Sequence, residues 1–215
     1  ILTLFFFIII IFSLLKLKYD VSFIETSSLD YYYDMTDEEL DAFKNLGIPV
    51  YSANCFIGMR VVGPDRDEKA IADYVAELFK RAKYLDIKLL VFGSSGARRT
   101  EGEVTVEEAR AQIVDFLIKH VVPYCNETGI MVAIEPLRKE ECNVVNTVAQ
   151  SIDIAKKVDS PFVKVLADLK HMVSVDDPIS VIPEYKDWVI HGHTSNPYPA
   201  PELGKKRTYP TVNDE

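Results

Sequence analysis

Short runs that are apolar almost throughout alternate along this chain with longer stretches in which apolar residues return every three or four positions. Residues 88–93 (KLLVFG), 131–134 (MVAI), 163–168 (VKVLAD) and 188–193 (WVIHGH) are of the first kind. Strands of this composition are buried on both faces, as in a parallel sheet covered by helices. Residues 21–25 and 49–54 read as two further, earlier strands. The pattern between them predicts helices. One opens at Thr36 with the capping-box sequence Thr36-Asp37-Glu38-Glu39 and ends at Gly47. Another covers 65–85, with Ile71, Val75, Leu78, Phe79, Ala82 and Leu85 near one face. A third spans 106–128 and stops at Gly129, a fourth spans 147–158, and a fifth covers 176–185. Residues 94–99 are expected as a loop.

A strand–helix alternation from about residue 20 to 193 closes either as a doubly wound sheet or as a (β/α)8 barrel. A dinucleotide-binding sheet carries GxGxxG after its first strand, and this chain does not. Polar or ionisable residues instead recur at successive strand ends: Glu25, Asn54, Ser94, Glu135, Asp168 and His193. Barrels build their sites at that rim. The expected fold is therefore α/β, a TIM barrel. Only 22 residues follow His193, and a complete barrel takes about 250. The expectation is an incomplete barrel over residues 16–215, irregular at its N-terminus and without an eighth strand.

Composition narrows the partners. Of 215 residues, 48% are hydrophobic and 27% charged, as in an ordinary globular domain. The net charge of −9 argues against a nucleic-acid face, which needs clustered Lys and Arg. Cys55, Cys125 and Cys142 are widely spaced and odd in number, so neither a zinc ribbon nor a disulfide framework is expected, and a reducing, cytoplasmic setting is. Residues 1–15, ILTLFFFIIIIFSLL, stand apart. They resemble the core of a signal peptide or a short anchor, giving export or membrane attachment as the alternative. They fall short of the roughly 20 residues that span a bilayer, lack a basic flank and precede no small-residue cleavage site. A membrane partner is therefore not expected, and the segment also reads as a first strand or helix.

Glu135, Asp168 and His193 end three successive strands and so share one rim. Two carboxylates and an imidazole make a mixed oxygen and nitrogen set that suits Mn²⁺ or Mg²⁺, and also Zn²⁺ or Fe²⁺. Taken singly, each has a plainer reading as a helix cap or a core histidine. Asn54 is placed at its strand's lip to donate to a sugar hydroxyl, or serves as a turn residue. Residues 93–99, GSSGARR, cradle a phosphate with backbone N–H groups and an arginine, or turn tightly with solvated arginines. Tyr31, Tyr32, Tyr33 and Phe56 are expected to pack rather than wall a pocket.

The segments VFGSSGARR (91–99), IEPLRKEECNVVNT (134–147), VKVLADLKHM (163–172) and HGHTSNP (191–197) together resemble the sugar-phosphate isomerase/epimerase family with the xylose-isomerase-like barrel. Ketose 3-epimerases and hydroxypyruvate isomerases are among its members. The resemblance runs from about residue 17 to the chain's end. It implies a divalent metal, manganese first, held by Glu135, Asp168 and His193, and by a fourth ligand, a glutamate after strand eight, that has no counterpart here. It also implies substrate contacts from Glu141, His171 and Arg207. The reaction expected is isomerisation or epimerisation of a small sugar, sugar acid or sugar phosphate. Glu135 acts as base on a proton made acidic by an adjacent carbonyl, giving an enediolate. The alternatives are a non-catalytic barrel that binds sugar or metal weakly and, further off, a metal-dependent endonuclease on a related barrel, for which four histidines and a net negative charge are poor equipment. A homo-oligomer is compatible with all of these.

Overall fold

The computed structural model describes residues 23–26, 30–45 and 49–195. Residues 1–15, Gly47 and Arg207 lie outside them. Six strands form one sheet: β1 (Ile24–Thr26), β2 (Val50–Ala53), β3 (Leu89–Phe92), β4 (Met131–Ile134), β5 (Val163–Asp168) and β6 (Val189–His193). All neighbouring pairs are parallel, and the order in space is the order in sequence. A doubly wound sheet reverses its order at a switch point. A sheet that adds every strand on the same side curls into a barrel wall. The fold is thus a partial TIM barrel, as the strand-end residues suggested.

The two faces of the wall pack differently because side chains alternate along a strand. Leu90, Phe92, Val132, Ile134, Val163, Val165 and Ala167 join the large core shared with the helices. Leu89, Val91, Ala133 and Leu166 form a second, small cluster on the other, concave face, with Met131 against it.

The helices, in order, are α1 (Asp30–Tyr33), α2 (Asp37–Lys44), α3 (Glu68–Tyr84), α4 (Ser95–Arg98), α5 (Val106–Phe116), α6 (Val122–Thr128), α7 (Val148–Val158), α8 (Leu169–Ser174) and α9 (Val181–Glu184). Their starts follow the sequence signals. Thr36 and Glu39 form the expected capping box, and Thr105 with Glu108 forms another. Asp67 and Thr147 accept the first free N–H groups of α3 and α7. Gly129, at φ 75°, ends α6 in the left-handed region open to glycine.

Three elements differ from expectation. The helix over 106–128 is interrupted by a π-helical turn, Leu117–Val121, across which the Val122 N–H reaches the carbonyl of Leu117. Pro123 offers no N–H to the residue four before it, so the ladder widens just ahead of it. Residues 94–99 contain α4 rather than a plain loop. The helix expected over 176–185 is cut to the one-turn α9, and an unexpected short helix, α8, capped by Asp168, precedes it. Asp176 sits at φ 57° between them, and Pro178 follows it closely, so the chain turns where a helix was expected. Tyr32 and Phe56 are buried in the core, and Tyr33 stacks on Tyr74, so these aromatic residues pack as anticipated. Among the described residues no helix is long and apolar enough to cross a membrane.

Candidate functional site

Continuing each strand's concave-face alternation past its apolar residues reaches the polar rim. Leu89 and Val91 lead to Gly93, Met131 and Ala133 lead to Glu135, and Leu166 leads to Asp168. Asp168 registers with His193 on β6, and Leu166 with His191. On β1, Glu25 registers with Ser52 of β2, and Asn54 lies two residues further on. Period-two geometry therefore delivers carboxylates and imidazoles from separate strands to one concave rim.

Glu135, Asp168 and His193 converge there: one donor atom from each lies within 4.8 Å of the others. The Nδ1 of His193 is 2.9 Å from Glu135 Oε1 and 3.7 Å from Asp168 Oδ2. Asp168 divides its oxygens, since Oδ1 accepts the His171 N–H at 3.1 Å and caps α8. The plainer reading of Asp168 as a helix cap is thus true of one oxygen only. Glu135 is 6% exposed. Its carboxylate lies across β3, where a Cβ on Gly93 would come within 1.9 Å of Oε2. Glycine at 93 is what leaves room for it. From the helix side, the Arg98 guanidinium donates to the Glu135 carbonyl at 2.9 Å. Arg98 is fully buried, packed over the Phe92 ring. It neither cradles a phosphate at the surface nor stands in solvent.

Glu25 and His191 complete the cluster and went unassigned in the sequence. Glu25 Oε2 accepts from Ser52 Oγ and lies 2.7 Å from His191 Nε2. Its Oε1 accepts from Asn54 Nδ2 at 3.0 Å and lies 2.7 Å from His193 Nε2, a contact out of line for a hydrogen bond. The signal available was a carboxylate at the end of the first strand, and two histidines at even spacing. Burial works against charge on Glu25, yet the contacts with His191, His193 and Ser52 hold its pKa well below the usual carboxylate range. Burial likewise disfavours a charged His193, and the neighbouring Glu135 and Glu25 carboxylates outweigh it, pushing its pKa up to about 10.

The remaining sequence-derived residues fall into place unevenly. His171 Nδ1 accepts the Arg138 N–H at 3.2 Å, so its neutral ring carries the proton on Nε2. That atom is 4.0 Å from Glu141 Oε2 and 3.9 Å from Asp168 Oδ2. Glu141 is held by Arg138 Nε at 2.6 Å. Asn54 is engaged with Glu25 through Nδ2, while its Oδ1 is buried with no partner among the described residues, as is Ser94 Oγ. Arg207 is outside the described residues.

A family model described as xylose isomerase-like TIM barrel matches residues 17–210. The chain belongs to this family. Solved structures share its fold. A D-psicose 3-epimerase structure determined in the presence of D-fructose has a TM-score of 0.70 at 22% identity, covering 81% of this chain and 63% of that one. The IolI protein with a bound zinc atom has a TM-score of 0.64 at 21% identity, covering 89% and 70%. An AP endonuclease of family 2 from Brucella melitensis has 0.63 at 17% identity, covering 79% and 77%. Comparison by sequence with individually curated proteins gives no match. The chain spans under two thirds of the length of the epimerase it resembles.

The residues present fit a divalent cation. Glu135, Asp168 and His193 provide a mixed oxygen and nitrogen donor set whose atoms lie within 4.8 Å of one another, the span of one coordination sphere. The space for the Glu135 carboxylate depends on a missing Cβ at Gly93.

Proposed function

We propose that this chain carries the site of a divalent-metal-dependent isomerase or epimerase of a small sugar or sugar derivative, in which Glu135, Asp168 and His193 hold the cation. The observation that carries this reading is the convergence of those three side chains, from three successive strands, at the concave rim. A bound divalent cation supplies Lewis-acid stabilisation for charge that develops on a sugar's carbonyl oxygen. Manganese is the first choice, and the donor set also accepts magnesium, zinc or iron(II).

The chain's own residues have separable tasks. Glu135 takes a proton from the carbon beside the carbonyl, since its two oxygens face different neighbours, Oε1 towards His193 and Oε2 over Gly93. His171 presents Nε2–H towards the space shared with Glu141 and Asp168, where it donates to a substrate oxygen. Glu141, anchored by Arg138, accepts from a substrate hydroxyl. Asn54 Oδ1 does the same from the β2 side. Arg207 remains a proposed contact to the sugar.

Calorimetric titration with Mn²⁺ tests the site, comparing the wild type with Glu135→Gln. Binding by the wild type and a loss of at least tenfold in the variant are expected, and equal affinities would reject the assignment. Turnover of ketohexoses tests the chemistry separately. Ion binding without turnover would leave a sugar- or metal-binding barrel, and cleavage of abasic DNA would favour the endonuclease reading.

A further inference from the structure

We infer that Glu25 is a positioning residue for His193, fixing which ring nitrogen faces the candidate cation site. This rests on the reading of Glu135, Asp168 and His193 as the cation's ligands. The two nitrogens of His193 are divided. Nδ1 is turned to Glu135 and Asp168, at 2.9 and 3.7 Å, and Nε2 is turned to Glu25 Oε1, at 2.7 Å. Nε2 is buried and meets no other partner among the described residues. A carboxylate against the far nitrogen of an imidazole favours the proton there by charge, even where the line is poor for a hydrogen bond, and leaves the other nitrogen as the donor to a metal.

Glu25 is itself held from several directions. Ser52 and Asn54, both on or beside β2, donate to its two oxygens, and His191 meets Oε2 at 2.7 Å. His191 and His193 stand edge to face, with ring centroids 5.4 Å apart. Glu25, His191 and His193 also satisfy the distances for a small ligand set of their own. Both Glu25 oxygens are already engaged by neutral donors, however, which suits an anchoring carboxylate better than a ligand. The arrangement also gives a role to Ser52, buried near the sheet's edge, and to the half-buried Asn54 beside it.

Co²⁺ titration of the 215-residue protein, followed by calorimetry and visible absorption, tests the inference on wild type, Glu135→Gln and Glu25→Gln. The expectation is one ion per wild-type chain. Glu25→Gln should bind it about 10 to 100 times more weakly, with an altered absorption spectrum and a thermal midpoint in the ion-free form close to wild type. Loss of binding in Glu135→Gln with unchanged affinity and spectrum in Glu25→Gln would overturn the role of Glu25 alone. Two ions per chain, one lost in Glu25→Gln, would make Glu25 a ligand and overturn it too. No binding by wild type, or no effect of Glu135→Gln, would overturn the metal site and this inference with it. Nitrogen NMR of the histidine rings in the Zn²⁺-loaded wild type gives a readout independent of whether the variant folds. A protonated Nε2 with zinc on Nδ1 of His193 is expected, and the reverse tautomer would refute the assignment.

Discussion

Gly93 shows how little separates a rim carboxylate that is positioned from one that is displaced. A methyl group there would stand 1.9 Å from Glu135 Oε2, and what must yield is the end of a flexible side chain. Gly93 does not have the positive φ that strains other residues. Gly93→Ala is therefore expected to leave the folded state nearly as stable, within about 1 kcal/mol, while lowering Mn²⁺ affinity at least tenfold. Denaturant melts and calorimetry on the same sample check both parts. A variant that binds Mn²⁺ normally would show that Glu135 has another place to lie. Glu135, Asp168 and His193 were legible as a set because each ends an apolar strand, so one alternation rule puts all three on the concave face. The part of Glu25 was not legible. Its partner His191 is 166 residues away, and only the curl of the sheet reveals that the first described strand faces the last.

At the scale of elements, the clear signals were hydrophobic periodicity and capping, and they located most helices and all six strands. Where a segment lacks both, its structure was hidden. The GSSGARR stretch has no repeating apolar position, yet α4 forms within it and buries Arg98 whole. Burial weakens the hold of that guanidinium on its proton, partly opposed by Cys142, Glu135 and Cys55. Its desolvation is offset by the carbonyls of Ser94 and Glu135 and by the Phe92 ring. Arg98→Met keeps much of the packing but removes the donor to Glu135. A loss of about 1–3 kcal/mol is expected, read as a lower urea midpoint, and a midpoint equal to wild type would mean that the carbonyl finds another donor. The 176–185 segment misled for a different reason. Its apolar residues have helical spacing, but the turn at Asp176 and the proline after it prevail over that spacing.

For the molecule as a whole, β1 and β6 are the edges of the described sheet. Beside β6 an open depression of about 480 Å³ is lined by Ala167, Leu169, Ile182, Val189 and Ile190, together with His191 and His193. Ile190 is 39% exposed. Unpaired strand edges with apolar neighbours invite pairing with another chain. Self-association of the 215-residue chain is therefore expected in sedimentation velocity, reduced by Ile190→Lys, whose charge on the edge opposes it. A wild type that stays monomeric at high concentration would show that the edge is already covered.

The sequential strand order has a consequence for synthesis. Each strand pairs with the one made just before it, so the wall can grow in register as the chain leaves the ribosome, with little waiting for distant partners. The rim is different, because its oldest member, Glu25, meets its newest, His191 and His193, only after everything between them has been laid down. A nascent barrel thus has its scaffold early and its chemistry last, and it cannot trap an ion in the assembled cluster before the sixth strand has docked.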